Sequence, residues 1–65
     1  MNRPLKRIGV RNIWLKRHPD SLPCLFRLVV YIDGTLPIVF LDGVKHEAIK
    51  LDHGYAVHQW KRIRQ

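Results

Sequence analysis

Two Asp-Gly dipeptides, each placed directly after a run of β-forming residues, constrain the fold of this chain more than any other feature. The first, Asp33-Gly34, separates the runs Leu25–Ile32 and Thr35–Leu41. Asp-Gly between two such runs is the strongest short-range indication of a β-hairpin, because a type I′ turn needs positive φ at both central residues. The second dipeptide, Asp42-Gly43, follows at once. The sequence therefore predicts a central hairpin that organises the remaining strands.

Both faces of this hairpin are apolar, which is typical of central strands in a closed or two-layered structure. Pro37 lacks a backbone donor and pushes the second strand towards an edge or a bulge. We expect one face to combine alternate residues of the two strands: Phe26, Leu28, Val30, Ile32, Leu36, Ile38 and Phe40. The reverse face then carries Val29, Tyr31, Val39 and Leu41.

The residues before the hairpin predict one more strand and a loop. Lys6–Arg17 contains Gly9 and several β-branched and aromatic residues, a composition that favours a strand over a helix. His18–Pro23 carries two prolines with Asp20 and Ser21, which is typical of a loop. Residues 1–5 are predicted to form a flexible basic arm, and residues 6–65 a single small β-rich domain.

The last third of the chain has two interpretations. As strands, Val44–Leu51 and Tyr55–Arg64 alternate side chains between two faces. As a short helix, the first segment would place Val44, Ala48 and Leu51 on one face. Turn spacing of about ten residues favours strands. The predicted fold is therefore mainly β, a small antiparallel sheet or an SH3/Sm-like barrel built on the central hairpin; the alternative is α+β with a short helix within 44–64.

Size and cysteine content limit the kind of protein. With 65 residues the chain can form one domain, whose core leaves little room for an enclosed catalytic pocket. We expect no enzyme activity and no catalytic residues. The single cysteine precludes an intramolecular disulfide, which favours a cytoplasmic location. A homodimer would enlarge the core, and no apolar run suggests a membrane partner.

Positive charge is concentrated at the two ends of the chain. Residues 1–17 sum to +6 and residues 61–65 to +3, whereas residues 18–60 sum to −2. A field of one sign attracts polyanions. An antiparallel pairing of the first and last strands would bring the two basic ends onto one surface. That convergence is the main reason for expecting a nucleic-acid partner.

The candidate binding residues combine cations with aromatic or imidazole rings. Lysine and arginine contact phosphates, and aromatic rings stack on bases. A tryptophan precedes a basic pair at each end of the chain, Trp14 before Lys16-Arg17 and Trp60 before Lys61-Arg62. The predicted nucleic-acid-binding residues are Arg3, Lys6, Arg7, Arg11, Trp14, Lys16, Arg17, Tyr55, His58, Trp60, Lys61, Arg62 and Arg64.

Other chemistry is less well supported by the sequence. His46-Glu47 begins like a helical zinc motif, but Lys50 stands where the second histidine should be. We expect no metal site and no cofactor. The predicted function is a non-enzymatic nucleic-acid-binding module, DNA or RNA, with little sequence specificity. The alternative is a small adaptor or inhibitor that docks on a larger protein, which an exposed apolar strip of Val29, Tyr31, Val39 and Leu41 would favour.

Overall fold

The computed structural model describes residues 4–63, and within that range it is built of five β-strands. They are β1 (Lys6–Lys16), β2 (Cys24–Asp33), β3 (Leu36–Leu41), β4 (Val44–Leu51) and β5 (Gly54–Arg62). The five strands pair in chain order and form a closed barrel. The predicted mainly β fold is confirmed as a small barrel, consistent with the SH3/Sm-like form. The helical alternative within 44–64 is wrong, because Val44–Leu51 and Gly54–Arg62 are strands.

Residues 4–63 contain no helix that is both long and apolar enough to cross a membrane. Of the predicted arm, residues 1–3 lie outside the described range, and Pro4 and Leu5 precede β1 without regular structure.

Burial along β4 and β5 shows why these segments are extended. In β4, His46 and Ala48 are buried and Glu47 between them is exposed. In β5, Tyr55 and Val57 are buried with Ala56 less so. This period of two places alternate side chains on the core face of a sheet, whereas a helix would have buried residues three or four apart.

The two Asp-Gly dipeptides form different turns. Asp42 and Gly43 have φ of 52° and 76°, and Leu41 pairs with Val44, so this dipeptide adopts the φ pattern of a type I′ turn. At the first dipeptide Asp33 is still paired, with Leu36, and the loop residues are Gly34 and Thr35. Only Gly34 has positive φ there, 69°, which is the φ pattern of a type II′ turn. The predicted position of the first turn is therefore wrong by one residue.

The register of the central hairpin also corrects the predicted faces. Tyr31 pairs with Ile38, so even-numbered residues of β2 lie beside odd-numbered residues of β3. Val30 and Val39 are both fully buried and belong to the core cluster, so these residues of opposite parity point inward. On the outer face the rings of Tyr31 and Phe40 meet edge to face with centroids 5.5 Å apart. The predicted apolar strip does not exist, because Val39 belongs to the core.

Side chains from all five strands fill the barrel. Burying such apolar surface is the main favourable term in folding, and in a domain of this size it has little reserve. Ile8, Leu28 and Leu41 pack partly buried against the core cluster. The cluster itself comprises Ile13, Leu15, Val30, Val39, Ala48, Tyr55 and Val57.

The barrel closes between the first and last strands, and these run parallel. Ile13 pairs with Tyr55, and the pairing continues to Lys16 with His58. The expected antiparallel pairing is wrong: in a succession of five antiparallel strands the first and the fifth point the same way. Gly54 allows the close approach, since a Cβ there would collide with the carbonyl oxygen of Asn12.

Candidate nucleic-acid interface

A groove runs along the outer face of the β1–β5 pair. Trp14 pairs with Ala56 and Lys16 with His58, so these four side chains lie on one face of two adjacent strands. Pro23 and Leu51 complete the lining of a space of about 320 Å³, which we call the outer groove. An indole beside an imidazole and an ammonium group offers both a flat surface and a positive charge.

His58 and Trp60 form a stack at one end of the outer groove. Their rings are nearly parallel, with an interplanar angle of 6° and centroids 4.7 Å apart. They can stack because residues two apart on a strand point the same way. Trp60 remains 37% exposed, and His58 Nδ1 is buried with no hydrogen-bond partner among the residues that the structure describes. The indole of Trp60 therefore combines a stacking contact with His58 and a partly exposed surface.

Beyond Val57, β5 departs from β4. Ala48 pairs with Val57, but the next pair is His46 with Arg62, so residues 58–61 of β5 lie opposite Glu47 alone. This large bulge borders a cleft of about 890 Å³, which is also lined by residues of β3, β4 and the turn between them. We call it the β5 cleft; its lining includes Phe40, His46, Gln59, Trp60, Arg62 and Ile63. Trp60 therefore belongs to both the His58 stack and the wall of the cleft.

His46 is the most deeply buried polar residue of the described chain. It is 3% exposed, and its Nδ1 has no hydrogen-bond partner among residues 4–63. Burial, and after it the positive charge of Arg62, lower the pKa of His46 below its ordinary value. The imidazole in the β5 cleft is therefore neutral at neutral pH.

The strand directions determine which cations lie together. The end of β1 and the end of β5 lie at the same end of the barrel because these strands are parallel. Lys16, Arg17, Lys61 and Arg62 belong to this end. Lys6 and Arg7 begin β1, ten residues before Lys16, which is about 30 Å of extended chain. The basic ends of the chain thus converge only in part.

The remaining predicted site residues lie elsewhere. Tyr55 is 7% exposed within the core, so its ring is not available for stacking. Arg11 is exposed and donates from its guanidinium to the carbonyl oxygen of Val10. It lines a separate space with Lys50 and Asp52, towards the beginning of β5. Arg3 and Arg64 lie outside the described residues.

The sequence did not mark most of the lining of the β5 cleft as part of a site, including Phe40, His46 and Gln59. The sequence indicates His46 only as the first half of an incomplete zinc motif, and Phe40 only as a residue of the central hairpin. Nothing local in the sequence marks them, because the cleft exists only where β5 leaves β4. Trp60 was predicted, and its position next to a basic pair was the useful indication.

Comparison with protein families, with curated proteins and with solved structures finds no match to this chain.

Proposed function

We propose that the chain is a non-enzymatic module that binds nucleic acid on the end of the barrel where β1 and β5 finish. The observation that carries the proposal is the joining of an exposed His58–Trp60 stack to the cations that end these two strands. Small β-barrels that bind single strands combine such stacking rings with a positively charged track for the backbone.

Stacking supplies the part of the affinity that depends on bases. The indole of Trp60 is partly exposed, and the parallel imidazole of His58 stacks on one of its faces. Trp14 offers a second ring in the outer groove, one strand away. Each base stacked on an aromatic ring contributes about 1–3 kcal/mol and does so with little regard to sequence.

The cations supply the part that depends on phosphates. Arg17, Lys61 and Arg62 are exposed, and Lys16 is half-buried in the outer groove. Each phosphate that is neutralised releases counterions, so affinity should fall steeply as salt rises. The four cations flank the rings, so one nucleic-acid strand can contact the cations with its phosphates and the rings with its bases.

Paired charge substitutions at the two ends of the barrel test this proposal. Arg17→Gln with Lys61→Gln and Lys6→Gln with Arg7→Gln each remove one arginine and one lysine, all four of them exposed. The measurement is fluorescence anisotropy of labelled single-stranded and duplex oligonucleotides of DNA and RNA over a salt series. We expect the first variant to bind about tenfold more weakly with a smaller salt slope, and the second less than about threefold.

Equal loss in the two variants would mean that net charge alone attracts the oligonucleotide and that no particular surface binds it. Absence of binding by the unmodified protein at low salt would overturn the proposal outright.

A protein-binding adaptor is the second candidate, and one observation favours it. An apolar row crosses four strands on the outside of the barrel, where Leu25 pairs with Trp14, Trp14 with Ala56, and Ala56 with Ile49. Leu25 is 52% exposed and Ile49 42%. Exposed apolar patches of this kind mark protein interfaces.

Leu25→Ser with Ile49→Ser distinguishes the two candidates. The nucleic-acid module keeps its affinity for oligonucleotides in this variant, because neither residue belongs to the stack or its cations. An adaptor loses the partners that the unmodified protein retains from a nuclease-treated lysate.

A further inference from the structure

The β5 cleft holds a combination of groups that the core does not need. His46 is almost completely buried, yet its Nδ1 has no partner among the described residues. Leaving a buried polar atom unpaired costs about 1–3 kcal/mol, and such an atom in a native structure calls for an explanation. His46 lines the β5 cleft, so a molecule that enters the cleft and displaces the groups covering Nδ1 can supply the missing hydrogen bond.

The size and walls of the cleft restrict that molecule. Its volume of about 890 Å³ falls within the range of about 300–1,000 Å³ typical of small-molecule sites. Phe40 and Trp60 contribute flat apolar surface, and Gln59 contributes an amide. The described lining contains one positive charge, Arg62, and no Asp or Glu. The fitting ligand is therefore a planar heteroaromatic group that carries a negative charge.

The neutral state of His46 sharpens this description. A neutral imidazole nitrogen and a carboxamide can each serve as hydrogen-bond donor or acceptor, which suits the mixed edge of a nucleobase. Arg62 pairs with His46 across the strands, so a phosphate on Arg62 would lie next to a base on the imidazole. We propose that the β5 cleft accepts one unstacked nucleotide of a single strand, with its base at His46 and Gln59 and its phosphate at Arg62.

This inference rests on the proposed function and makes it more specific. Phosphate contacts on exposed cations would serve a duplex and a single strand alike, whereas the cleft can be reached only by a base that is free of its partner. Trp60 links the two sites, since its indole lines the cleft and also stacks on His58. One base on the His58–Trp60 stack and the next base in the β5 cleft would occupy both sites.

Abasic oligonucleotides test the inference separately from the proposed function. The probes are labelled ten-nucleotide single strands of each base, and an abasic strand with the same number of phosphates. We expect the best homopolymer to bind at least tenfold more tightly than the abasic strand. We also expect that advantage to fall to threefold or less in His46→Leu and in Gln59→Leu, each measured after folding is confirmed by its amide spectrum.

The unmodified protein provides a readout that does not depend on any variant. The ring nitrogen resonances of His46 should shift much further when the homopolymer is added than when the abasic strand is added, because the abasic strand brings only a phosphate to the neighbouring Arg62. Lys45→Gln is the matched control for the variants, since Lys45 lies beside His46 in β4 and does not line the cleft. It should keep the full preference for bases.

The failures are distinguishable. Salt-sensitive binding of both strands with equal affinity would overturn the nucleotide cleft and the stacking part of the proposed function, and would leave binding to phosphates alone. A full preference for bases in a folded His46→Leu variant would also overturn it, by assigning the preference to the outer stack. Equally tight binding of polyglutamate would overturn it in favour of an acidic protein segment. Absence of binding by either strand at low salt would remove the proposed function as well.

Discussion

The two halves of β5 differ in their pairing with β4 and in their burial. Residues 54–57 lie between β1 and β4, and Tyr55 and Val57 are in the core. Residues 58–61 have left β4, and Trp60 and Lys61 are exposed. The first half closes the barrel, and the second half opens the β5 cleft beside it. A domain too small for a separate binding loop thus obtains a site by interrupting the pairing of one strand with its neighbour.

We expect the largest effect on stability from Gly54→Ala, at the start of residues 54–57, the half of β5 that closes the barrel. Gly54 has a φ of 145°, and a Cβ would collide with the Asn12 backbone. We expect the free energy of unfolding to fall by about 3 kcal/mol or more, enough to unfold much of a domain this small. Urea unfolding followed by tryptophan fluorescence measures it.

Gly43→Ala is the matched control, because Gly43 also has positive φ but no atom lies within 4 Å of its Cβ position. It should cost only about 1 kcal/mol. Equal costs for the two variants would mean that backbone strain alone is at work and that the contact between β1 and β5 is looser than described.

Val57→Ala should have the next largest effect. Val57 is fully buried and pairs with Leu15 on one side and Ala48 on the other. Removing two methyl groups from the core should cost about 2 kcal/mol in the same unfolding experiment. Gln59→Ala changes a residue of the segment 58–61, which is not paired with β4, and should lower the free energy of unfolding by less than about 0.5 kcal/mol. A similar cost for both would erase the contrast between the halves.

Trp60→Ala should separate binding from stability. Loss of one stacking ring should weaken single-strand binding about tenfold, which corresponds to about 1.4 kcal/mol. Because Trp60 is 37% exposed, the free energy of unfolding should change by less. Anisotropy titration and urea unfolding of the same preparation give both numbers. Lost stability with unchanged affinity would make Trp60 part of the core instead.

The smallest effect concerns pH. The pKa of His46 in the folded protein is lowered below its unfolded value of about 6.5. Above that value the imidazole is neutral in both states and its contribution to stability is complete. As pH falls below it, the unfolded chain takes up the proton first, so stability declines until the folded pKa is reached.

Thermal unfolding between pH 8 and pH 5 measures this decline, which should be reduced in His46→Leu. The exposed His53 offers a control, since His53→Gln should retain it. An unchanged pH profile in His46→Leu would mean that His46 titrates alike in the two states.

Local sequence was enough to predict β1, β2 and β3 to within a residue at each end, whereas it left residues 44–64 open between strands and a short helix, and pairing partners decided the rest. Asp42-Gly43 gave its predicted turn because two residues determine it. The Asp33-Gly34 turn moved by one residue since the register of β2 with β3 was not available from the dipeptide. The parallel closure could have been predicted from the count of five strands. The bulge at residues 58–61 could not, as it depends on where β4 and β5 separate in the folded barrel.

The parallel closure also has a consequence for the order of folding. It joins Ile13 to Tyr55, 42 positions later, whereas the other strand pairs join neighbours along the chain. Closing a long loop costs more conformational entropy, and such contacts delay folding. The outer groove takes Trp14 from one side of this seam and His58 from the other, so it is completed only when the seam forms. A single-stranded nucleic acid bound across the outer groove should slow the opening of the barrel and lengthen the lifetime of the folded state.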